Sequence, residues 1–202
     1  AGQSEGDTDP GSNHFRVISK PSVAVMTGRG ASYGTVGEIW HLFDYRLGIP
    51  VSLIDAESPG DLSKYNVIVF TGNIQINQTI KNRLSSWNGE TGNTLIAIGS
   101  ALRTVNELGL ANIKIVTEKR DTFKIADGTY EHFQEQRGAS RVNGIILEAS
   151  LDKTSPVSYG IESESLPLFK SRDVVFAEPK NRFAAPARYT KEPLLSGFLQ
   201  KR

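Results

Sequence analysis

Short apolar runs alternate with amphipathic stretches along the first half of the chain. The runs are continuous rather than alternating, which is typical of strands buried on both faces, and they lie at 23–28, 51–54, 67–72 and 94–99. The stretches after them space their apolar residues like one face of a helix, and they lie at 33–47, 77–87 and 100–109. This alternation predicts an α/β fold with a mostly parallel sheet and helices on both of its faces.

The same spacing selects the residues that we expect to form the core. They are Val25, Ile39, Phe43, Ile68, Val69, Leu84, Ile96 and Leu102. Asn77 and Ser100 precede the second and third predicted helices. Because Asn and Ser side chains often accept a hydrogen bond from the first turn of a helix, both residues are predicted helix caps.

The pattern becomes irregular after Leu110. Strands are predicted at 113–116, 144–151 and 174–177, and the stretch 118–141 is polar, of mixed charge and left unassigned. We expect turns elsewhere, because prolines interrupt any long helix; they are Pro156, Pro167, Pro179, Pro186 and Pro193.

The sequence pattern predicts two segments. Residues 1–20 are rich in Gly, Ser and acidic side chains and are predicted to form a flexible tail or linker. Residues 21–202 are predicted to form a single α/β domain, with 110–202 as its irregular, strand-containing second half.

Composition narrows the functional classes only slightly. The 202 residues carry a formal net charge of +1, so no general attraction to nucleic acid or to an anionic membrane is expected. The chain has no Cys, which excludes disulfides, a Cys-type zinc site and a thiol nucleophile. No apolar run is long enough to cross a bilayer, and residues 1–9 lack the features of a signal peptide.

Three stretches of the chain resemble one family. They are PSVAVMTGRGASYGTVGEIWHLFDYRLGIPVSLID, TLIAIGSALRTVNELGL, and GIILEASLDKTSPVSYG taken with PLLSGF. They resemble the glutamine-amidotransferase-like domain that follows the peptidase domain in some bacterial zinc carboxypeptidases of the carboxypeptidase A type. The resemblance covers about residues 21–199, and its most specific part is the GEIWHLFD segment.

The resemblance implies a flavodoxin-like fold of the class I glutamine amidotransferase kind, without amidotransferase chemistry. It implies a non-catalytic accessory domain whose partner is the peptidase domain of the same polypeptide. Zinc is then expected in that absent domain and no cofactor in this chain, and the parent is expected in the periplasm or outside the cell. Two alternatives stay open, a small-molecule or carbohydrate-binding module and a serine hydrolase that uses Ser100.

Ser100 lies between an apolar strand and a helix, where related folds place a nucleophile on a sharp turn. Such a turn usually has Gly two residues on either side of the nucleophile, and Ile98 and Leu102 stand there instead. A serine nucleophile also needs a base. We therefore expect no catalytic residue, with Ser100 as a helix cap whose loss costs about 0.5–2 kcal/mol.

The histidines offer little support for catalysis. Of the three, His14 is in the tail and His41 lies within the first predicted helix. His132 reaches Ser100 only if the segment 118–141 folds back over the strand ends. His132 and Glu135 also spell H-x-x-E, a zinc-ligand spacing, but no further His follows, so no metal site is expected.

The loop GRGASYG precedes the first predicted helix, where backbone N–H groups can hold an anion. Its candidate ligand-binding residues are Gly28, Arg29, Gly30 and Ser32, with Ser100 added from the neighbouring strand end. The alternative is an ordinary tight turn, because the loop lacks the third Gly of a dinucleotide-binding motif and the Gly-Lys pair of a P-loop.

Two expectations concern the second half. If Phe123, Tyr130 and Phe133 are exposed, they indicate a contact with another domain; the alternative is a solvated face or mobile loop. The resemblance also implies further strands after PLLSGFLQ, so residues 183–202 are expected to be loosely packed or to lean on a neighbouring molecule at an open sheet edge. The alternative is that this segment folds back onto its own sheet.

Overall fold

The computed structural model describes residues 19–116, 144–171 and 175–197. Backbone proximity divides the chain into two compact units with the boundary between Asn112 and Ile113. This boundary falls where the sequence pattern changes, just after Leu110. The single domain over 21–202 stays a prediction, and each unit is described by itself.

Four parallel strands form the sheet of the first unit, in the order β2-β1-β3-β4. Their bounds are β1 Val23–Thr27, β2 Val51–Asp55, β3 Val67–Thr71 and β4 Thr94–Ile98. All four predicted strands are confirmed to within one residue at either end. Val25 aligns with Leu53 of β2 and with Val69 of β3, so these side chains share one face of the sheet.

Helices cover both faces of this sheet. They are α1 Tyr33–Trp40, α2 Gln78–Asn88 and α3 Ala101–Glu107. Leu84 and Trp87 of α2 and Val105 of α3 share one buried cluster with Met26 and Phe70 of the sheet. A second cluster joins side chains of α1 to the opposite face; it contains Val23, Val25, Val36, Ile39 and Val69. The predicted α/β class with a parallel sheet is therefore confirmed.

The first predicted helix, 33–47, is wrong in its second half. The α-helix ends at Trp40, and a π-helix follows over His41–Arg46. The N–H of Leu47 donates to the carbonyl of Leu42, five residues earlier, at 3.1 Å. A π turn holds an extra residue compared with an α turn, which rotates the following side chains away from their α-helical positions.

Five of the eight predicted core residues are buried, namely Val25, Ile39, Ile68, Val69 and Leu84. The other three are only half-buried. Phe43 lies in the π-helix, where the apolar face is displaced. Ile96 belongs to β4, an edge strand with a neighbour on one side. Leu102 lies in the first turn of α3 on a side of the helix that the sheet does not fully cover.

Asp61 begins a short 3₁₀ turn, Leu62–Lys64, before β3. Its Oδ1 accepts hydrogen bonds from the Oγ and N–H of Ser63, and these bonds lower the pKa of the carboxyl. The stabilisation is present above the carboxyl's unfolded pKa and is lost as the pH falls through its lower folded value. Asp61 is exposed, so the effect is screened by solvent.

The second unit is built from antiparallel strands. β5 Ile115–Val116 pairs with β8 Val175–Phe176. β6 Ile145–Leu151 is the central strand of a sheet in the order β7-β6-β9, with β7 Ser165–Lys170 and β9 Ala187–Ser196. Side chains of β6 at 145, 147 and 149 are buried, while those between them are more exposed, as expected for a sheet covered on one face. The predicted strand at 144–151 is confirmed. Those predicted at 113–116 and 174–177 are each found over two residues, and residue 174 lies outside the described residues.

The turns predicted around Pro167 and Pro193 are wrong, because both residues lie within strands. Both strands are at the edges of their sheet. There the missing N–H of proline can face away from the neighbouring strand, so no ladder hydrogen bond is lost.

The loose packing expected for residues 183–202 is also wrong for 187–196. They pair with β6 over most of their length, with irregular register on either side of Leu147. The segment thus folds back onto its own sheet, which was the alternative. Residues 198–202 lie outside the described residues, as does the stretch 118–141 with its aromatic side chains.

Candidate functional site

The carboxyl ends of β1 and β3 are the natural place for a site in the first unit. From β1 the chain passes to β2 on one side, and β3 and β4 follow on the other. In open parallel sheets, ligands bind in the crevice that such a reversal opens beyond the strand ends. The candidate loop 28–32 follows β1 and therefore lies at this position.

The crevice is closed by backbone hydrogen bonds between the loops that follow β1 and β3. The N–H of Asn73 donates to the carbonyl of Gly30 at 2.8 Å, and that of Gln75 to the carbonyl of Arg29 at 3.0 Å. In the opposite direction, the N–H of Ser32 donates to the carbonyl of Thr71 at 3.4 Å. The two loops are thus joined by their own backbone groups, and among the N–H groups of the loop 28–32 that of Ser32 is one that is already used within the protein.

Gly30 and Gly72 make this approach possible. Both have a positive φ, 91° and 76°. A Cβ atom on Gly30 would lie 2.1 Å from the carbonyl oxygen of Asn73, and one on Gly72 would lie 2.4 Å from the carbonyl oxygen of Gly30. Glycine is therefore required here for contact between two stretches of backbone. Gly30 therefore serves contact within the protein, whereas the sequence pattern predicted that it would allow a ligand to approach.

The other candidate ligand residues lie on the same loop. Gly28 has a φ of 116°, and a Cβ there would meet Asp55 Oδ1 at 3.4 Å. The Oγ of Ser32 lies 3.0 Å from Thr35 Oγ1 within the first turn of α1. The Arg29 side chain is exposed to solvent. Anion binding by this loop stays a prediction.

Ser100 precedes α3, as predicted, but its side chain forms no capping hydrogen bond. Its φ and ψ are −68° and −17°, which are ordinary helical values. A nucleophile elbow strains the turn that carries the nucleophile, whereas here the positive φ of 63° belongs to Gly99. Ser100 therefore has neither the predicted capping bond nor the conformation of an elbow nucleophile.

His41 is the one histidine within the described residues, since His14 and His132 lie outside them. It is exposed and stacks on Tyr45 with ring centroids 5.0 Å apart. The helix α1 starts where β1 ends and runs back toward the start of β2. His41 follows α1 and so lies near the amino ends of the strands, whereas Ser100 follows the carboxyl end of β4. His41 is therefore not placed to act as a base for Ser100.

The two predicted caps provide a matched test. Asn77 Oδ1 accepts a hydrogen bond from the N–H of Ile80 at 2.9 Å, so Asn77→Ala should lower the free energy of unfolding by about 0.5–2 kcal/mol. Ser100→Ala should change it by less than about 0.5 kcal/mol, because no capping bond is lost. Urea denaturation followed by tryptophan fluorescence measures both. Equal losses in the two variants would contradict the presence of a capping bond at Asn77 and its absence at Ser100.

Sequence reasoning missed three polar residues around the closed crevice. Thr104 Oγ1 donates to Asn73 Oδ1 at 2.9 Å, which ties α3 to the loop after β3. Thr71 is buried at the end of β3, and its Oγ1 has no hydrogen-bond partner among the described residues. The Gly-Asn pair that follows a buried strand was the available signal for this loop, since such pairs favour turns.

The second unit has a shallow cleft of about 990 Å³. Its lining combines charged side chains, among them Asp152, Glu178, Lys180 and Arg188, with the exposed ring of Phe183. Arg188 forms an ion pair with Glu178. The turn around Asp152 is ordered by hydrogen bonds from the N–H and Oγ1 of Thr154 to Asp152 Oδ1.

No family model, curated protein or solved structure matches the chain. What the described residues show is the architecture: an α/β unit with a four-stranded parallel sheet, and a second unit with antiparallel sheets of two and three strands. None of the helices in the described ranges is long and apolar enough to cross a membrane. Within residues 19–116, 144–171 and 175–197, no three His, Asp or Glu side chains are grouped as metal ligands would be.

Proposed function

We propose that this chain is a non-catalytic accessory domain of an exported zinc carboxypeptidase, with a flavodoxin-like, amidotransferase-related fold. The sheet order β2-β1-β3-β4 supports this fold, because flavodoxin-like sheets begin with the same order. The closed crevice at the ends of β1 and β3 is the observation that carries the non-catalytic assignment.

The closed crevice argues against catalysis at the carboxyl ends of the parallel strands. Opening it requires breaking the hydrogen bonds that Asn73 and Gln75 donate to the loop after β1. Ser100, the remaining nucleophile candidate at this edge, has helical backbone angles and no capping role. A binding or structural role for the domain as a whole needs neither an open crevice nor an activated serine.

The absence of serine hydrolase chemistry is tested directly. The chain should remain unlabelled by a fluorophosphonate probe and should not hydrolyse simple esters or amides above the background rate. Ser100→Ala serves as the matched control. Labelling of the wild-type chain that disappears in Ser100→Ala would overturn the non-catalytic assignment.

The accessory role is tested by the coding sequence before Ala1. In this proposal it encodes a peptidase domain with an H-x-x-E pair and a distant His, which supply the zinc ligands, preceded by an export signal. The peptidase domain is the expected partner. A reading frame that encodes no such domain would exclude this role while leaving the fold unaffected.

The cleft of the second unit favours a second candidate function, a small-molecule or carbohydrate-binding module. Phe183 and Phe169 are each 72% exposed, but only Phe183 lines the cleft. An exposed ring beside charged side chains is suited to stacking against a sugar and hydrogen bonding to its hydroxyls. Mono- and oligosaccharides should then raise the melting temperature of wild type and Phe169→Ala, but not of Phe183→Ala. A lack of any shift in wild type would exclude this function.

A further inference from the structure

The helical cover of the parallel sheet is uneven. Both α2 and α3 pack against one face, whereas the other is covered by α1, which contacts β1 and β3, and by Phe43 and Ile49 from the segment that follows α1. On that second face the middle of β2 is open: Leu53 is 53% exposed, whereas its neighbour in register, Val25, is 0% exposed. Parallel sheets are normally covered on both faces, so this corner lacks a packing partner.

One flank of α1 borders the open corner. Tyr33, Gly37 and Trp40 are four and three residues apart, so they share one side of the helix. Both aromatic side chains are exposed, and a Cβ on Gly37 would meet no atom within 4 Å. Because β1–α1–β2 crossovers are right-handed, this flank faces the β2 side of the sheet. Leu53, Tyr33 and Trp40 therefore border one apolar corner, which we call the β2 corner.

The backbone of β2 is also open at this edge. β2 is the outermost strand of its sheet, with β1 as its single neighbour among the described strands. Ala56 directs its N–H toward β1, where it donates to the carbonyl of Thr27 at 2.9 Å. Since successive residues of a strand alternate in direction, Leu53 directs its N–H and C=O outward.

β2 lacks the features that keep edge strands from pairing. Natural edges are protected by charges, prolines and bulges. The edge strand β9 of the second unit has all three, with Lys191, Glu192, Pro193 and an irregular register. β2 reads VSLID, and its first four residues carry no charge and no proline.

We propose that the β2 corner binds a second copy of this chain through a two-fold axis, with β2 antiparallel to β2. Leu53 is the middle residue of the five in β2, so a two-fold axis through it aligns Leu53 with Leu53 of the second copy. The outward N–H and C=O groups of the two leucines then bond to each other. The two leucine side chains meet on one face, between the aromatic flanks of the two α1 helices. A second copy fits because the edge is complementary to itself under this operation.

The molar mass in solution tests the proposal. Light scattering of the full chain should give twice the monomer mass of 22.1 kDa. Leu53→Lys should raise the dissociation constant of the dimer by about tenfold or more, because it removes apolar contact twice and sets like charges opposite each other. Tyr159→Lys is the matched control, since Tyr159 is highly exposed in the second unit.

Two results would overturn the proposal. If the wild-type chain stays monomeric at high concentration, the β2 corner does not bind a second copy, and its partner is another molecule, such as a peptidase domain. A dimer that persists unchanged in Leu53→Lys, with a native circular dichroism spectrum, must form through another surface, such as the edge of β4.

Cross-linking gives an independent measurement. The chain has no Cys, so Leu53→Cys introduces a single thiol. Directly opposed residues in a hydrogen-bonded antiparallel pair have Cα atoms about 5.5 Å apart, so two thiols there are within reach of a short bis-maleimide reagent. This reagent should convert most of Leu53→Cys, but little of Tyr159→Cys, to a covalent dimer. Equal cross-linking of the two variants would contradict the proposed pairing.

Discussion

Gly30→Ala should lower the free energy of unfolding of the first unit by about 2–5 kcal/mol. A left-handed φ costs a non-glycine residue about 1–2 kcal/mol, and forcing an extra atom into a packed site costs about 1–3 kcal/mol. Both costs apply, because φ is 91° and the added Cβ would lie 2.1 Å from the carbonyl oxygen of Asn73. That oxygen is backbone and cannot rotate away, so the two loops must separate.

Gly92→Ala is the matched control for this experiment. Its φ of 97° is close to that of Gly30, but a Cβ on Gly92 would meet no atom within 4 Å. It should therefore cost only the conformational part, about 1–2 kcal/mol. Both tryptophans of the chain, Trp40 and Trp87, belong to the first unit, so urea denaturation followed by their fluorescence reports on this unit. Equal losses in the two variants would show that the loops after β1 and β3 do not touch.

Leu84→Ala should lower the free energy of unfolding of the first unit by about 2–5 kcal/mol, the range for truncating a buried leucine. Leu84 is fully buried in α2, in the cluster that contains Phe70 and Trp87. The variant loses apolar contact on the sheet and leaves a cavity that rigid strands cannot fill. The same fluorescence-detected urea denaturation measures the loss.

Leu47→Ala is the control within the same unit. Leu47 follows the π-helix and is exposed, so its truncation should change stability by less than about 0.5 kcal/mol. If the two truncations lower the free energy of unfolding equally, Leu84 is not buried between α2 and the sheet.

Most of the first unit could be predicted from its local pattern. The strands β1 to β4 are short, mostly apolar runs bounded by turns, and runs of this kind are typical of strands in a parallel sheet. The central strands β1 and β3 are buried, whereas the edge strands β2 and β4 are partly exposed. The N-terminus of α2 could be located because the Asn77 side chain and the backbone it caps are close in sequence. The π-helix after Trp40 could not be predicted, because no local pattern marks its extra residue, which is accommodated only when the helix packs against the sheet.

The second unit was harder to predict for a physical reason. Pro167 and Pro193 rule out central strands but not edge strands, and which strand lies at an edge depends on pairings between distant segments. The pairing of β9 with β6 joins residues about forty positions apart, and no local pattern specifies it. The expectation of a loose C-terminal segment failed at this point.

The candidate site, too, has features that the sequence predicts and features that only the tertiary structure decides. The sequence alone determined that Gly28, Gly30 and Ser100 lie at strand-to-helix junctions, because strand and helix periodicities are local. Only the tertiary structure decided what these residues do. The need for glycine at position 30 comes from the carbonyl of Asn73, more than forty residues away, which approaches because β1 and β3 are neighbours in the sheet. Sheet order and loop contacts arise from long-range packing, which a local pattern of apolar and polar residues does not encode.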